Sequence, residues 1–277
     1  MALNCSQVAI GDSRRRVMRI CAAVFVVGLF VASWFVSGTQ VTRAIFAFVA
    51  VASLMLAVEL TTEGRQKLSL RERWRIRPQV GKVRLLPAIG HVLLNVLIAS
   101  SAFLTLLQTR HPSSSTMELL RLAAGVALLY ALAALVFEIL GLCFLVAGYS
   151  LPLMHRTPIA ARSVGEFWGQ RWNIIVSAWL RTFIFWPLAR RRCAGLGVLC
   201  SFLVSGALHG WPILVALGTS AAFSMVLFFV IQGVFVLAES RLSIHTWPVT
   251  IARTWTLVIL LASSPLLIDP DLRVFGF

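Results

Sequence analysis

Residues 17–36 and 41–60 are two apolar runs of about 20 residues, separated only by the turn Ser37-Gly38-Thr39-Gln40. A run of that length is what a helix needs to cross about 30 Å of hydrocarbon. The pattern recurs over 86–108, from about Glu118 to Tyr149, twice within 194–238 with a break around His209-Gly210-Trp211-Pro212, and again over 247–267. A chain built this way cannot bury its apolar surface in one water-soluble core. Composition agrees: of 277 residues 59% are hydrophobic and 13% charged, with a mean hydropathy of +0.88, where a soluble domain is about half apolar and a quarter charged. We read an all-α fold, a polytopic transmembrane helical bundle of about seven spans forming one integral-membrane domain over 1–277. The first run is read as a retained span rather than a signal peptide.

Charge sets the topology. Lys+Arg number 25 against Asp+Glu 10, a net charge of +15, and in a membrane protein such an excess belongs to cytoplasmic loops, which argues against nucleic acid as a partner. Arg14, Arg15 and Arg16 on one side, and Arg65, Lys67, Arg71, Arg73, Arg75, Arg77, Lys82 and Arg84 on the other, place both flanks of the first hairpin in the cytoplasm. That second loop is read first as a topology determinant and second as an attractor of an anionic ligand or anionic lipid. The turn from His111 to Ser115 is external, and 150–172, with Arg156, Arg162 and Arg171, is cytoplasmic again. Asn173 to Pro187 is apolar, yet crossing the bilayer there would put Arg190, Arg191 and Arg192 outside. We therefore expect a re-entrant or interfacial helix, with Trp168, Trp172, Trp179 and Trp186 at headgroup depth. The sequon Asn4-Cys5-Ser6 is read as chance, and the five cysteines, without a CxxC pair, indicate neither a metal site nor disulfides. Arginine far outnumbers lysine, a bias that suggests GC-rich bacterial coding and a bacterial cytoplasmic membrane. The oligomeric state is not legible.

Polar groups at mid-bilayer are costly, by about 2.5 to 3.5 kcal/mol for a charge, so those present are informative. His209 lies in the apolar stretch 201–212, whose small residues permit close helix contact and whose Pro212 can open the backbone. Glu138 lies two turns from Tyr130 on nearly the same face, and is read more readily as bracing the bundle by pairing with a basic group than as a chemical group. His91 and Asn95 are i and i+4, and an interhelical hydrogen bond is the favoured reading. Soluble chemistries are excluded: there is no GxxxxGK[ST], GxGxxG after a strand, HExxH or GxSxG. None of the five histidines is followed four or five residues on by aspartate.

The segment Ser163-Val164-Gly165-Glu166-Phe167-Trp168-Gly169-Gln170-Arg171-Trp172-Asn173 is the most distinctive in the chain, an exposed-type loop holding two Trp, an Arg and an Asn. With Leu180-Arg181, Pro187 and Ser201-Phe202-Leu203-Val204-Ser205-Gly206-Ala207-Leu208-His209 downstream, and Leu151-Pro152 and Pro158-Ile159-Ala160-Ala161 upstream, it resembles the wax synthase-like branch of the membrane-bound O-acyltransferase family. The resemblance covers about residues 150–212. Gly210 stands where plant members commonly carry an acidic residue, a departure that bears on the acceptor alcohol.

The resemblance implies acyl transfer from acyl-CoA, as co-substrate and with no cofactor, to the hydroxyl of a lipophilic alcohol dissolved in membrane lipid. It implies His209 as general base and Asn173 as the group that orients it or donates to the developing oxyanion. Trp168, Trp172 and Arg171 then shape the substrate-binding loop, Arg171 also meeting a CoA phosphate, and Glu138 is a further substrate-binding candidate. The site is expected to open toward the cytoplasm. Two readings compete: a multi-pass transporter or channel with His209, Glu138 and His91 lining a polar path, and a non-catalytic membrane scaffold.

Overall fold

The computed structural model describes residues 2–62, 76–78, 85–151 and 154–277, and of residues 2–15 the backbone alone. The sequon at Asn4, the basic groups of Arg14 and Arg15, the loop from Arg65 to Arg84 other than residues 76–78, and Pro152 lie outside what it describes.

Apolar runs become helices because hydrocarbon offers the backbone no other hydrogen-bond partner. In chain order these are α1 (Ala2–Phe35), α2 (Gln40–Thr62), α3 (Leu85–Gln108) and α4 (Ser115–Val146). Ser114 caps α4, its hydroxyl accepting from Met117 N. A two-residue antiparallel bridge pairs Arg77 with Ser150 and Pro78 with Tyr149, clipping the approach to α3 onto the end of α4.

The 163–173 segment is not the open loop its sequence suggests. It holds a single helical turn, α5 (Val164–Glu166), that widens into a π-helical turn over Phe167–Arg171. After it come α6 (Ile174–Leu180), a second π turn over Arg181–Phe185 and α7 (Trp186–Ala189). Together Ile174–Ala189 form an apolar helix too short to span, as expected of a re-entrant or interfacial element. The long helices α8 (Ala194–Leu217) and α9 (Thr219–Leu242) follow, then α10 (Val249–Ser263) and α11 (Pro265–Val274).

Six of the described helices are long and apolar enough to cross a membrane, and the count reaches seven if α10 and α11, bent by 45° at their junction, are taken as one span. The protein is thus a multi-pass membrane protein. The break in 194–238 falls at Gly218, not at His209-Gly210-Trp211-Pro212: α8 runs unbroken through Pro212. A proline near a helix end removes one late hydrogen bond and is tolerated, whereas Gly218, at φ 95°, adopts a backbone that a side chain would strain.

Lipid is the solvent for α1 to α4, so Phe25, Phe48, Leu97 and Leu104 are exposed while polar groups turn inward. Asn95 Nδ2 donates to both carboxylate oxygens of Glu138 at 3.0 Å, joining α3 to α4. The interhelical bond expected of Asn95 is present, and the partner of Glu138 is this amide rather than a basic group. A tighter core lies where α8, α9 and α11 meet, around Ile213, Met225, Phe228, Phe229 and Val274.

Candidate active site

A cavity of about 260 Å³ opens between the 163–173 segment, the short apolar helix Ile174–Ala189, α8 and α9. Helix α8 presents Val198, Phe202, Ser205 and His209 to it, positions spaced i, i+4, i+7, i+11 and therefore on one face. The short helix supplies Val176, Leu180 and Phe185, and the box supplies Trp168, Trp172 and Asn173. The walls are largely apolar; His209, Asn173, Arg181 and three serines are the polar exceptions.

His209 Nδ1 lies 2.8 Å from the carbonyl of Ser205. A carbonyl only accepts, so Nδ1 carries the proton and Nε2 of the neutral ring keeps a free lone pair. The ring packs against Phe229 at 4.6 Å between centroids, and the residue is open to its surroundings. Asn173 adopts a left-handed backbone, φ 39° and ψ 65°, a conformation that asparagine tolerates better than most residues. Its Oδ1 accepts from Val176 N at 3.4 Å, capping α6, and its backbone N–H donates to His155 Nδ1 at 3.3 Å. With the oxygen committed to the helix, the Nδ2 amide has no partner among the described residues. One cavity thus holds a base with a free lone pair and an amide with free donors.

Three of the four tryptophans are engaged by protein. Trp179 is buried and donates to the Met55 carbonyl; Trp168 donates to Gln232 Oε1 at 3.2 Å; Trp172 stacks on Phe167, at 9° between planes, and on His155. Of the four, Trp186 alone is well exposed, at 46%. A short helix packed against protein offers an indole both apolar contact and a hydrogen-bond acceptor.

Arg171 is likewise committed. Its Nε and one terminal nitrogen each reach Glu166 Oε1 at 2.7 Å, and its other terminal nitrogen bonds the carbonyls of Arg156 and Thr157. Burial opposes ionisation of Glu166, but the Arg162 N–H and the Arg171 guanidinium outweigh it and hold the carboxyl below its ordinary range. Arg171 therefore fastens the loop and lines a neighbouring polar cavity with Arg162 and His245. The arginine that borders the chamber of His209 is Arg181, which donates to Gly169 O at 2.8 Å. Glu138, bonded to Asn95, is not among the cavity's lining residues; nor is His91, so the three groups of a polar transport path do not share this space.

Sequence reasoning passed over Gln232 and Glu239. Gln232 is fully buried and bridges Trp168 Nε1 to Ser263 Oγ. Glu239 accepts from Val164 N, Gly165 N and Trp255 Nε1 at 2.7 to 3.1 Å, capping the start of the box from α9. Their signal was available: two polar residues seven apart in an apolar span share a face and demand partners.

Residues 151–231 match the model of the membrane bound O-acyl transferase family. Similar curated proteins, all from Arabidopsis thaliana, are probable long-chain-alcohol O-fatty-acyltransferase 3, 32% identical over 41% of this chain and 35% of that protein; number 7, 30% over 42% and 38%; and number 9, 31% over 44% and 40%. The match spans well under half the length of these relatives. Their plant origin lends no support to the bacterial source suggested by the arginine bias. Every residue named above as lining the chamber of His209 lies within the matched stretch, and over that stretch, residues 151–231, the chain is similar to the membrane-bound O-acyltransferase family and to its long-chain-alcohol acyltransferases.

Proposed function

We propose that this protein transfers an acyl group from acyl-CoA to the hydroxyl of a lipophilic alcohol, forming esters such as waxes, sterol esters or acylglycerols. The observation that carries the reading is that His209 and Asn173, 36 positions apart in sequence, line one apolar cavity with complementary free groups. The alcohol donates its proton to His209 Nε2 as its oxygen attacks the thioester carbon. The carbonyl oxygen, now negative, accepts from Asn173 Nδ2. Collapse expels the CoA thiolate, which takes the proton back from His209, so no acyl-enzyme is needed. General base catalysis of this kind contributes about 10² to 10⁴-fold, and one oxyanion donor about 10² to 10³-fold.

The membrane setting suits the substrates. A long acyl chain and a fatty alcohol partition into lipid, and the largely apolar walls exclude water that would otherwise hydrolyse the thioester. CoA is a polyanion and approaches from the basic, cytoplasmic side. Membranes containing the protein, supplied with labelled acyl-CoA and a long-chain alcohol, are expected to yield labelled ester. His209→Ala, at equal expression, should abolish it; unchanged turnover would remove the proposed base. Substrate flux in proteoliposomes with no ester formed would favour the transporter reading.

A further inference from the structure

His155 stands outside both signature boxes, yet among the described residues its ring is the one side chain bonded to the backbone of Asn173. The Asn173 N–H donates to His155 Nδ1, which must therefore carry the lone pair, so the neutral ring holds its proton on Nε2. That is the opposite tautomer from His209. The Nε2 atom is buried with no hydrogen-bond partner, inside an aromatic box made by Trp172 at 4.3 Å, Phe137 at 5.9 Å and Tyr130 at 6.0 Å. Neighbouring backbone bonds fix the same junction: Arg156 N to Arg171 O and Ile174 N to Met154 O.

We infer that His155 is a positioning residue: its Nδ1 holds the Asn173 backbone in the left-handed turn that caps α6 with Oδ1 and leaves Nδ2 free for the reaction centre. This rests on the acyltransfer reading for its catalytic consequence but not for its structural one. A buried N–H without an acceptor costs about 1 to 3 kcal/mol, a cost that a ring present only to fill space would avoid by being phenylalanine. The left-handed turn is itself unfavourable and persists only where its surroundings impose it.

Protonation tests the tie. A charged His155 would present Nδ1–H to the Asn173 N–H, donor against donor, and the bond would be lost. Burial lowers His155 below its ordinary value of 6.5, so the ring is neutral and the tie intact at pH 7, and it is lost as pH falls through the lowered value. The titratable or charged neighbours are Tyr130 on α4 and Arg156 and Arg171 on its own side. Glu138, beside Phe137, is engaged by Asn95, and Glu166 by Arg171.

His155→Asn and His155→Phe separate positioning from packing. Asparagine puts Oδ1 where Nδ1 was and cannot titrate; phenylalanine keeps the aromatic box and removes the acceptor. In purified full-length protein we expect His155→Phe to lower kcat by about tenfold or more with KM for the donor little changed, and His155→Asn to keep most activity. In parallel, hydrogen–deuterium exchange of peptides covering 172–177, corrected for intrinsic rates, reads the tie without any assay. Protection should fall in His155→Phe at pH 7, fall in wild type on acidification, and persist in His155→Asn at both. Phenylalanine outperforming asparagine, or protection equal in all three proteins, overturns the inference. A wild type that makes no ester but shows this exchange pattern refutes the acyltransfer reading and leaves the tie standing.

Discussion

Trp168 donates its indole N–H to the side-chain oxygen of Gln232 at 3.2 Å, and Gln232 in turn donates to Ser263 Oγ at 2.7 Å. One fully buried amide therefore ties the box to α9 and α9 to α10. Its two halves are both used, so a substitute must accept and donate at once. Gln232→Leu strands the indole N–H and removes the donor to Ser263 Oγ, whose hydroxyl still donates to Ile259 O, and is expected to destabilise the protein by about 1 to 3 kcal/mol. Thermal unfolding in detergent measures this. Activity should fall with it, because Trp168 lines the cavity; an unaltered melting temperature would show that the bridge is dispensable.

Asn173→Asp divides the two duties of that residue. Aspartate still offers an oxygen to Val176 N, and a carboxylate caps a helix as well as an amide does. It has no N–H to donate and brings negative charge to where negative charge develops. Stability should change by no more than about 1 kcal/mol, while kcat drops about 10² to 10³-fold. Steady-state kinetics beside an unfolding curve distinguish this from a residue whose only task is to start α6, for which kcat would follow stability.

Glu138 is read from sequence more readily as bracing the bundle than as a chemical group, with substrate binding a further candidate role, and its contacts fit the bracing. Both oxygens engage Asn95, and the bond lies between α3 and α4, away from the cavity lining. Glu138→Gln keeps an acceptor for the Asn95 amide and removes the charge, so ester formation should stay within about twofold of wild type. Asn95→Leu, which breaks the bond, is expected to cost about 1 kcal/mol of stability and to leave kcat alone. A large loss of turnover in Glu138→Gln would return that carboxylate to the site.

How far the sequence reveals this protein depends on which physical signal is read. The spans were legible because the hydrocarbon thickness imposes a length, and the non-spanning character of Ile174–Ala189 because three arginines follow it directly. His209 was legible because an ionisable group in an apolar helix is expensive, and Asn173 through the box it ends. What periodicity cannot supply is partner choice. Arg171 carries the right charge for a phosphate, yet Glu166 five residues earlier takes it. The tryptophans suit an interface, yet Met55 O and Gln232 claim two of them. The unbroken course of α8 past Pro212 depends on neighbours, not on the proline. Gln232, Glu239 and His155 belong to the site only through contacts with residues 18 to 75 positions away.

The place of His209 depends on how closely α8 approaches α9. A Cβ on Gly206 would lie 3.1 Å from Val226 Cα, 3.3 Å from Val226 O and 3.2 Å from Phe229 Cβ; one on Gly210 would lie 3.2 Å from Val226 Cγ2. Two of those neighbours of Gly206 are backbone and do not yield by rotating, so Gly206→Ala must spread the helices by a few tenths of an ångström. Small residues at such a seam are how membrane helices pack closely. The displaced neighbour includes Phe229, on which the His209 ring rests. We expect Gly206→Ala to cost about 1 to 3 kcal/mol as overpacking and to lower kcat more than Gly210→Ala, whose main obstacle at 3.2 Å is a side-chain methyl able to turn aside. Kinetics and detergent melting of the two variants side by side check the ranking, and equal effects would mean that helix separation does not set the geometry of the base.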